Sequence, residues 1–195
     1  MKLAVVGLGY VGLPLCLQFA KSGVAVLGLD IDPIKIKKIN TGQSYIKHIP
    51  SEVIQQQVSA GRLSASTDFA GIKQVDAVVI CVPTPLNKNR EPDISYILMT
   101  GQAIAPHLGK GQLVVLESTT YPGTTDSDLR AVLEEGSGLK AGTDFHLAFS
   151  PEREDPGNPE SKVALIPKMF KRPNAGDTAR STGCWKPANR FCTAA

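Results

Sequence analysis

Cysteine is scarce in this chain. The four among its 195 residues (Cys16, Cys81, Cys184 and Cys192) form no C-x-x-C pair and have no histidine at ligand spacing. That excludes a disulfide framework and a zinc site, so no metal is expected and a reducing cytoplasm is the simplest setting. Cys16 and Cys81 lie inside apolar runs and read as small buried hydrophobes. Long apolar runs are missing too. No stretch reaches the roughly 18 unbroken apolar residues of a membrane span. The start, Lys2 followed by LAVVGLGYVGLPLCLQFA, has the outline of a signal peptide. Its three glycines would make a poor apolar helix, and the sequence continues as folded protein.

An excess of charge is also lacking where it would matter. The formal net charge is +3, but residues 169–195 carry +4 (Lys171, Arg172, Arg180, Lys186 and Arg190 against Asp177) and the preceding 168 residues carry −1. A nearly neutral body gives no support to nucleic-acid or membrane-surface binding. Hydrophobic and charged contents of 42% and 20% are those of an ordinary globular domain.

What is present is an alternation of short apolar runs with amphipathic stretches. Residues 2–6, 24–30, 77–82, 112–116 and 145–149 read as strands. Residues 11–21, 33–40, 51–60, 94–108 and 124–135 read as helices, with Pro14 tolerated in a first turn and Asp32-Pro33 opening the second helix. Apolar strands separated by helices of about 10–15 residues indicate a parallel sheet covered on both faces. The fold class expected is therefore α/β, a Rossmann-type doubly wound parallel sheet spanning residues 1–168.

Residues 169–195 differ. They contain no Leu, Ile or Val, and they hold the chain's one Trp and half its Cys. Nothing in them looks able to continue a sheet or present an apolar helix face. They read either as a disordered basic tail or as a departure of the reading frame near Lys168. The second is favoured because the change falls where another domain should begin.

Gly7-Leu8-Gly9-Tyr10-Val11-Gly12 is G-x-G-x-x-G directly after a strand and opening a helix. Gly7 permits the tight turn, Gly9 lets backbone approach a pyrophosphate, and Gly12 lets helix and strand pack closely. The helix N-terminus adds free N–H donors and a partial positive charge. Tyr10 and Val11 would offer backbone contacts. Asp30 ends the second strand 18 positions past Gly12; its carboxylate can accept both ribose hydroxyls and repels a 2′-phosphate. The cofactor expected is NAD rather than NADP. Asp32 fits the cap of the next helix better than Asp30 does. Lys35 stands either near the adenosine ribose or on a solvated helix face.

Three further segments fall at the carboxyl ends of strands, where this fold binds ligands: Cys81-Val82-Pro83-Thr84-Pro85, Glu117-Ser118-Thr119-Thr120-Tyr121-Pro122-Gly123-Thr124 and Ser150-Pro151-Glu152-Arg153. Any one could be turn chemistry alone. Three in series, each presenting hydroxyl or charge, outline a site.

The segments VVGLGYVGLPL, LDIDP, CVPTPL, ESTTYPGTT and FSPEREDPGN resemble the UDP-glucose/GDP-mannose dehydrogenase family over about residues 1–168. CVPTPL, LESTTYPGTT and LAFSPER look most like its UDP-N-acetylhexosamine 6-dehydrogenase branch, with UDP-glucose 6-dehydrogenase as the alternative. The resemblance implies NAD-dependent oxidation of a UDP-sugar C6 alcohol to the uronic acid, for surface polysaccharide precursors. Two hydrides would pass to two successive NAD molecules, with a cysteine thioester hydrolysed by water. It implies that Thr84 contacts NAD and that Thr119 lies near the nicotinamide and helps hold the reactive water. Glu152 would be the acid/base or water-orienting group, and Arg153 would lie on the substrate side. A carboxylate in a partly dry cleft can have the raised pKa that proton transfer needs; the plain alternative is a surface Glu152 paired with Arg153.

There are departures. A second glutamate found in some members four positions after the first is here Pro156. The family's catalytic cysteine belongs to a glycine-rich motif beyond residue 195, as do the dimerising helix and the UDP-binding domain. Gly183-Cys184-Trp185-Lys186-Pro187 is a superficial echo, too early, with no strand expected around it. The expectation is thus a chain that lacks the catalytic cysteine and is inactive alone, an NAD-binding fragment of an enzyme whose full-length form is a homo-oligomer. A hydroxyacid or 6-phosphogluconate-type dehydrogenase on the same fold is the remaining rival, and it leaves SPER unexplained.

Overall fold

The computed structural model describes residues 1–86, 88 and 92–151, together with the backbone of three short strands between residues 168 and 191. Six parallel strands form the central sheet: β1 (Lys2–Val6), β2 (Ala25–Leu29), β3 (Leu63–Ser66), β4 (Ala77–Ile80), β5 (Leu113–Leu116) and β6 (His146–Phe149). Their order across it is β3-β2-β1-β4-β5-β6. The helices between them are α1 (Gly12–Lys21), α2 (Pro33–Asn40), α3 (Ser51–Ser59), α4 (Ser95–Ile104) and α5 (Arg130–Ser137).

The two-residue period of a strand explains the layering. Leu3 and Val5 of β1 and Ala77 and Val79 of β4 enter one core with α1 and α3. Ala4, Val6, Val78 and Ile80 enter the other with α4 and α5. Strands buried on both faces have no polar alternation to show, which is why they read as continuous apolar runs. Chain order runs outward from β1 through β2 to β3, and outward from β4 through β5 to β6. The crevice between the carboxyl ends of β1 and β4 is therefore the switch point where doubly wound sheets hold ligands.

Several expectations need correction. Residues 63–66, to which the sequence reading assigns no element, are the edge strand β3, paired in register with β2 from Val26–Leu63 to Leu29–Ser66. LSAS is too short and too serine-rich to announce itself, and the side chain of Asn40 supplies what its sequence lacks. Asn40 Oδ1 accepts from the Ala65 amide at 2.9 Å while its Nδ2 donates to the Ala65 carbonyl at 2.8 Å. The helix expected over 94–108 stops at Ile104 and tightens into a 3₁₀ turn, Ala105–His107, because Pro106 has no N–H to continue the ladder. The helix expected over 124–135 opens with a π-helical turn, Thr124–Leu129, before α5. No helix among the described residues is long and apolar enough to cross a membrane.

In the tail, β7 (Lys168–Phe170), β8 (Gly183–Lys186) and β9 (Arg190–Phe191) pair antiparallel in a sheet of their own. None of them continues the six-stranded sheet, but the expectation of no strand around Cys184 is corrected, because Gly183–Lys186 is one. The aromatic residues of these segments carry strand propensity that a count of Leu, Ile and Val overlooks.

Candidate dinucleotide site

The turn after β1 is bound to its neighbours on both sides. The Gly7 amide donates to the Leu29 carbonyl at 2.8 Å, and the Cys81 amide donates to the Val6 carbonyl at 2.7 Å. Gly7 has φ +90°, and a Cβ there would stand 2.6 Å from the Cys81 carbonyl oxygen. A Cβ on Gly12 would run into the Gly7 carbonyl. The chain itself demands these two glycines. Gly9 is different: a Cβ there would meet no protein atom within 4 Å. The space in front of it is open, as a close-approaching phosphate requires. No side chain caps α1 at Val11, and its first turn contains no acidic residue. The Leu13 amide donates to the Gly9 carbonyl at 3.2 Å and Pro14 has no N–H, so the positive end of its dipole is what α1 offers to water or an anion.

Asp30 follows β2 and is 7% exposed. Its Oδ2 accepts from the Leu8 amide at 2.8 Å and from Lys35 Nζ at 3.0 Å, and its Oδ1 accepts from the Asp32 amide at 3.0 Å. The carboxylate thus orders the glycine turn and its own turn at once. Asp32 caps α2 through the Ile34 amide at 2.8 Å, the role its position before Pro33 suggests. Lys35, for which the sequence leaves two settings open, forms an ion pair with Asp30 at 3.0 Å. Tyr10 is exposed and its ring stacks on His48 with centroids 6.3 Å apart.

A second group of residues lies at the ends of β4 and β5. Thr84 Oγ1 donates to the Thr119 carbonyl at 2.6 Å, and Ser118 Oγ donates to the Val82 carbonyl at 2.9 Å. Two side chains therefore tie the CVPTP loop to the ESTT loop. Thr84 and Thr119, singled out separately in the sequence, are in contact. The two groups meet where Gly7 and Gly12 abut Cys81. Glu152 and Arg153 lie outside the described residues.

Residues 1–170 match the NAD binding domain of the UDP-glucose/GDP-mannose dehydrogenase family. The chain belongs to that family. It is 36% identical over 169 residues to the UDP-N-acetyl-D-glucosamine 6-dehydrogenase of Pseudomonas aeruginosa, covering 87% of this chain and 39% of that one. It is 41% identical over 160 residues to the UDP-N-acetyl-D-mannosamine dehydrogenase of Pyrococcus horikoshii, covering 80% and 37%. The ternary-complex crystal structure of GDP-mannose dehydrogenase from Pseudomonas aeruginosa superposes with a TM-score of 0.76 at 35% identity, over 80% of this chain and 37% of that one. The chain therefore spans about two fifths of the length of these relatives.

NAD is the cofactor of this dehydrogenase family's domain, and the residues present fit it. The open space before Gly9, the uncapped α1 and the buried Asp30 carboxylate match its pyrophosphate and its ribose diol.

Three groups have no role of their own in the sequence reading, although Glu117 and Ser150 fall in its candidate segments. Tyr45 Oη donates to the Leu8 carbonyl at 2.5 Å, a contact 37 residues long that no local pattern announces. Burial, then the charge of Asp30, hold its hydroxyl above the usual phenol range. Glu117, 3% exposed, stands to β5 as Asp30 stands to β2, and an acid closing the apolar run LVVL was a signal that could have been used. Ser150 is fully buried at the end of β6, and its Oγ has no hydrogen-bond partner among the described residues.

Proposed function

We propose that these residues form the cofactor-holding part of a UDP-N-acetylhexosamine 6-dehydrogenase, which oxidises the sugar C6 alcohol to a carboxylate. The observation that carries the reading is the contact between Thr84 and Thr119 at 2.6 Å, beside a glycine turn whose Gly9 faces open space. It sets the hydroxyl-bearing loops next to the place where the cofactor's reactive end should lie. The acetylhexosamine branch is favoured over the UDP-glucose one by the named activities of the relatives from P. aeruginosa and P. horikoshii.

In this reading the amides of Gly9, Tyr10, Val11 and Gly12 bind the pyrophosphate, and Gly7 shapes the turn. Asp30 and Lys35 hold the adenosine ribose. Thr84 and Thr119 line the nicotinamide side, where Thr119 also holds water, Glu152 moves the proton, and Arg153 meets the sugar nucleotide. NAD, when bound, supplies a hydride acceptor. Because the match covers 39% of the P. aeruginosa relative, the reading assigns cofactor binding to these 195 residues and sugar turnover to the longer protein, in which the family's cysteine chemistry and homo-oligomeric assembly would reside.

Calorimetric titration of the chain with NAD tests the first part, and saturable binding is expected. Adding UDP-N-acetylglucosamine and following NADH absorbance tests the second. Steady NADH production would overturn the assignment of binding alone, and failure to bind NAD would overturn the site itself.

A further inference from the structure

Leu8, the residue between the first two glycines, is fixed by three groups distant in sequence. Its amide is held by Asp30 at 2.8 Å. Its fully buried side chain packs on the bare backbone of Gly28, where a Cβ would stand 3.0 Å from each Leu8 methyl. Its carbonyl accepts from Tyr45 Oη at 2.5 Å. Two residues on, Tyr10 stacks against His48 at an interplanar angle of 25°. Tyr45 and His48 both belong to the connection 41–50 between α2 and α3, and their two contacts fall on either side of Gly9.

That connection is itself well anchored. Gly42 has φ +73°, and a Cβ there would come within 2.8 Å of the Gln55 Cβ on α3. The Ser44 amide donates to Ser51 Oγ at 3.0 Å, and Ser44 Oγ donates to the Ile46 carbonyl at 3.0 Å. Ile46 and Ile49 are in the core, 3% and 8% exposed. A loop held this firmly can hold something else in turn.

We propose that segment 41–50 is a brace for the phosphate turn, with Tyr45 its positioning residue. The Leu8 carbonyl and the Gly9 amide share one trans peptide plane, so they point in opposite directions. Holding the carbonyl on Tyr45 aims the Gly9 N–H away from the phenol and toward the open side of the turn. The stack of His48 on Tyr10 adds a second contact between this connection and the turn. Tyr45 touches no ligand in this scheme; it sets the direction of a donor that does. The inference rests on the reading of this turn as the pyrophosphate site.

The test compares ligands with and without phosphate. Tyr45→Phe keeps the ring and removes the donor. ADP and NAD should bind about tenfold more weakly, the cost of one hydrogen bond, while adenosine should bind within about twofold of wild type. Equal losses for adenosine and ADP would reduce Tyr45 to a merely structural group and overturn the proposal, as would unchanged ADP affinity. In the wild-type chain the Gly9 amide proton should move downfield on adding ADP and stay in place on adding adenosine. That measurement decides the matter if the variant does not fold, and a Gly9 resonance indifferent to ADP overturns the proposal. A wild-type chain that binds adenosine but neither ADP nor NAD would instead remove the phosphate-site reading beneath it.

Discussion

The Leu8 amide donates to Asp30 Oδ2 at 2.8 Å across 22 residues of sequence, so the carboxylate proposed to hold the ribose also holds the turn proposed to hold the pyrophosphate. Replacing it affects both jobs. Asp30→Ala leaves the Leu8 amide, in a buried setting, without its acceptor. NAD affinity should fall by about 1–3 kcal/mol, the cost of losing a charged hydrogen-bond partner, and the melting temperature should fall with it. Calorimetry and thermal denaturation on the same sample check this; unchanged affinity would remove Asp30 from the site.

Asp30 already has three N–H partners, and a carboxylate offers about four acceptor positions. A ribose diol needs two, so one partner must yield. Lys35, a partly exposed side chain at 3.0 Å, is the one able to move. It also offsets the charge that repels a 2′-phosphate. Lys35→Ala should therefore weaken NADP binding more than NAD binding, by about 1 kcal/mol after discounting for solvent screening. Parallel titrations with the two dinucleotides would show the ratio, and an equal loss for both would contradict the reading.

The parts that local pattern governs were legible in the sequence. Lys2–Val6 and Pro33–Asn40 fall where apolar period and the Asp32-Pro33 start place them. The glycine turn and Asp30 followed from spacing. Strand β3 was not legible, because its place at the edge depends on Asn40 bonding to Ala65 across 25 residues. Tyr45 was not legible either, since its role comes from an oxygen on another loop. The contact between Thr84 and Thr119 was implied only in outline: two loops at one sheet edge are neighbours, but which hydroxyl meets which carbonyl is a matter of packing.

Gly9 separates ligand demands from folding demands. Its Cβ position meets nothing within 4 Å, whereas a Cβ at Gly7 would press on Cys81. Gly9→Ala should keep stability within about 0.5 kcal/mol of wild type yet lose most NAD affinity, because the methyl fills the space the phosphate needs. Gly7→Ala should unfold more easily, since it meets both a positive φ and a carbonyl. Denaturant midpoints set beside NAD titrations distinguish the two, and a Gly9→Ala variant that binds NAD normally would refute the placement of the pyrophosphate.

Thr84 Oγ1 and the Thr119 carbonyl join the two loops proposed to lie on the nicotinamide side. Thr84→Val keeps the shape of the side chain and removes the donor. Stability should fall by about 1 kcal/mol, as for one hydrogen bond. NAD affinity should fall further than ADP affinity, because only NAD reaches this end of the site. Equal effects on ADP and NAD would place Thr84 away from the nicotinamide.

Acid sensitivity should come in part from the far side of the sheet, where Glu134 Oε1 accepts from Arg130 Nε at 2.9 Å and from the Ala141 amide at 3.0 Å. The Arg130 hydrogen bond, then that from Ala141, hold its carboxyl below the usual value of 4.5. A depressed folded pKa means that the unfolded chain binds the proton first as pH drops. The stabilisation is therefore complete above the unfolded value, and it disappears as pH falls through the folded one. Asp144, accepting from the Lys140 amide and Lys110, is shifted the same way and adds to the loss. At pH 7, Glu134→Gln should cost about 0.5 kcal/mol, the scale of a partly exposed i,i+4 pair. As pH falls from the usual value of 4.5 through the lowered folded one, the variant and the wild type should converge. Denaturation midpoints measured from pH 7 to pH 3 would show the two curves closing, and a constant gap across that range would remove Glu134 from the acid response.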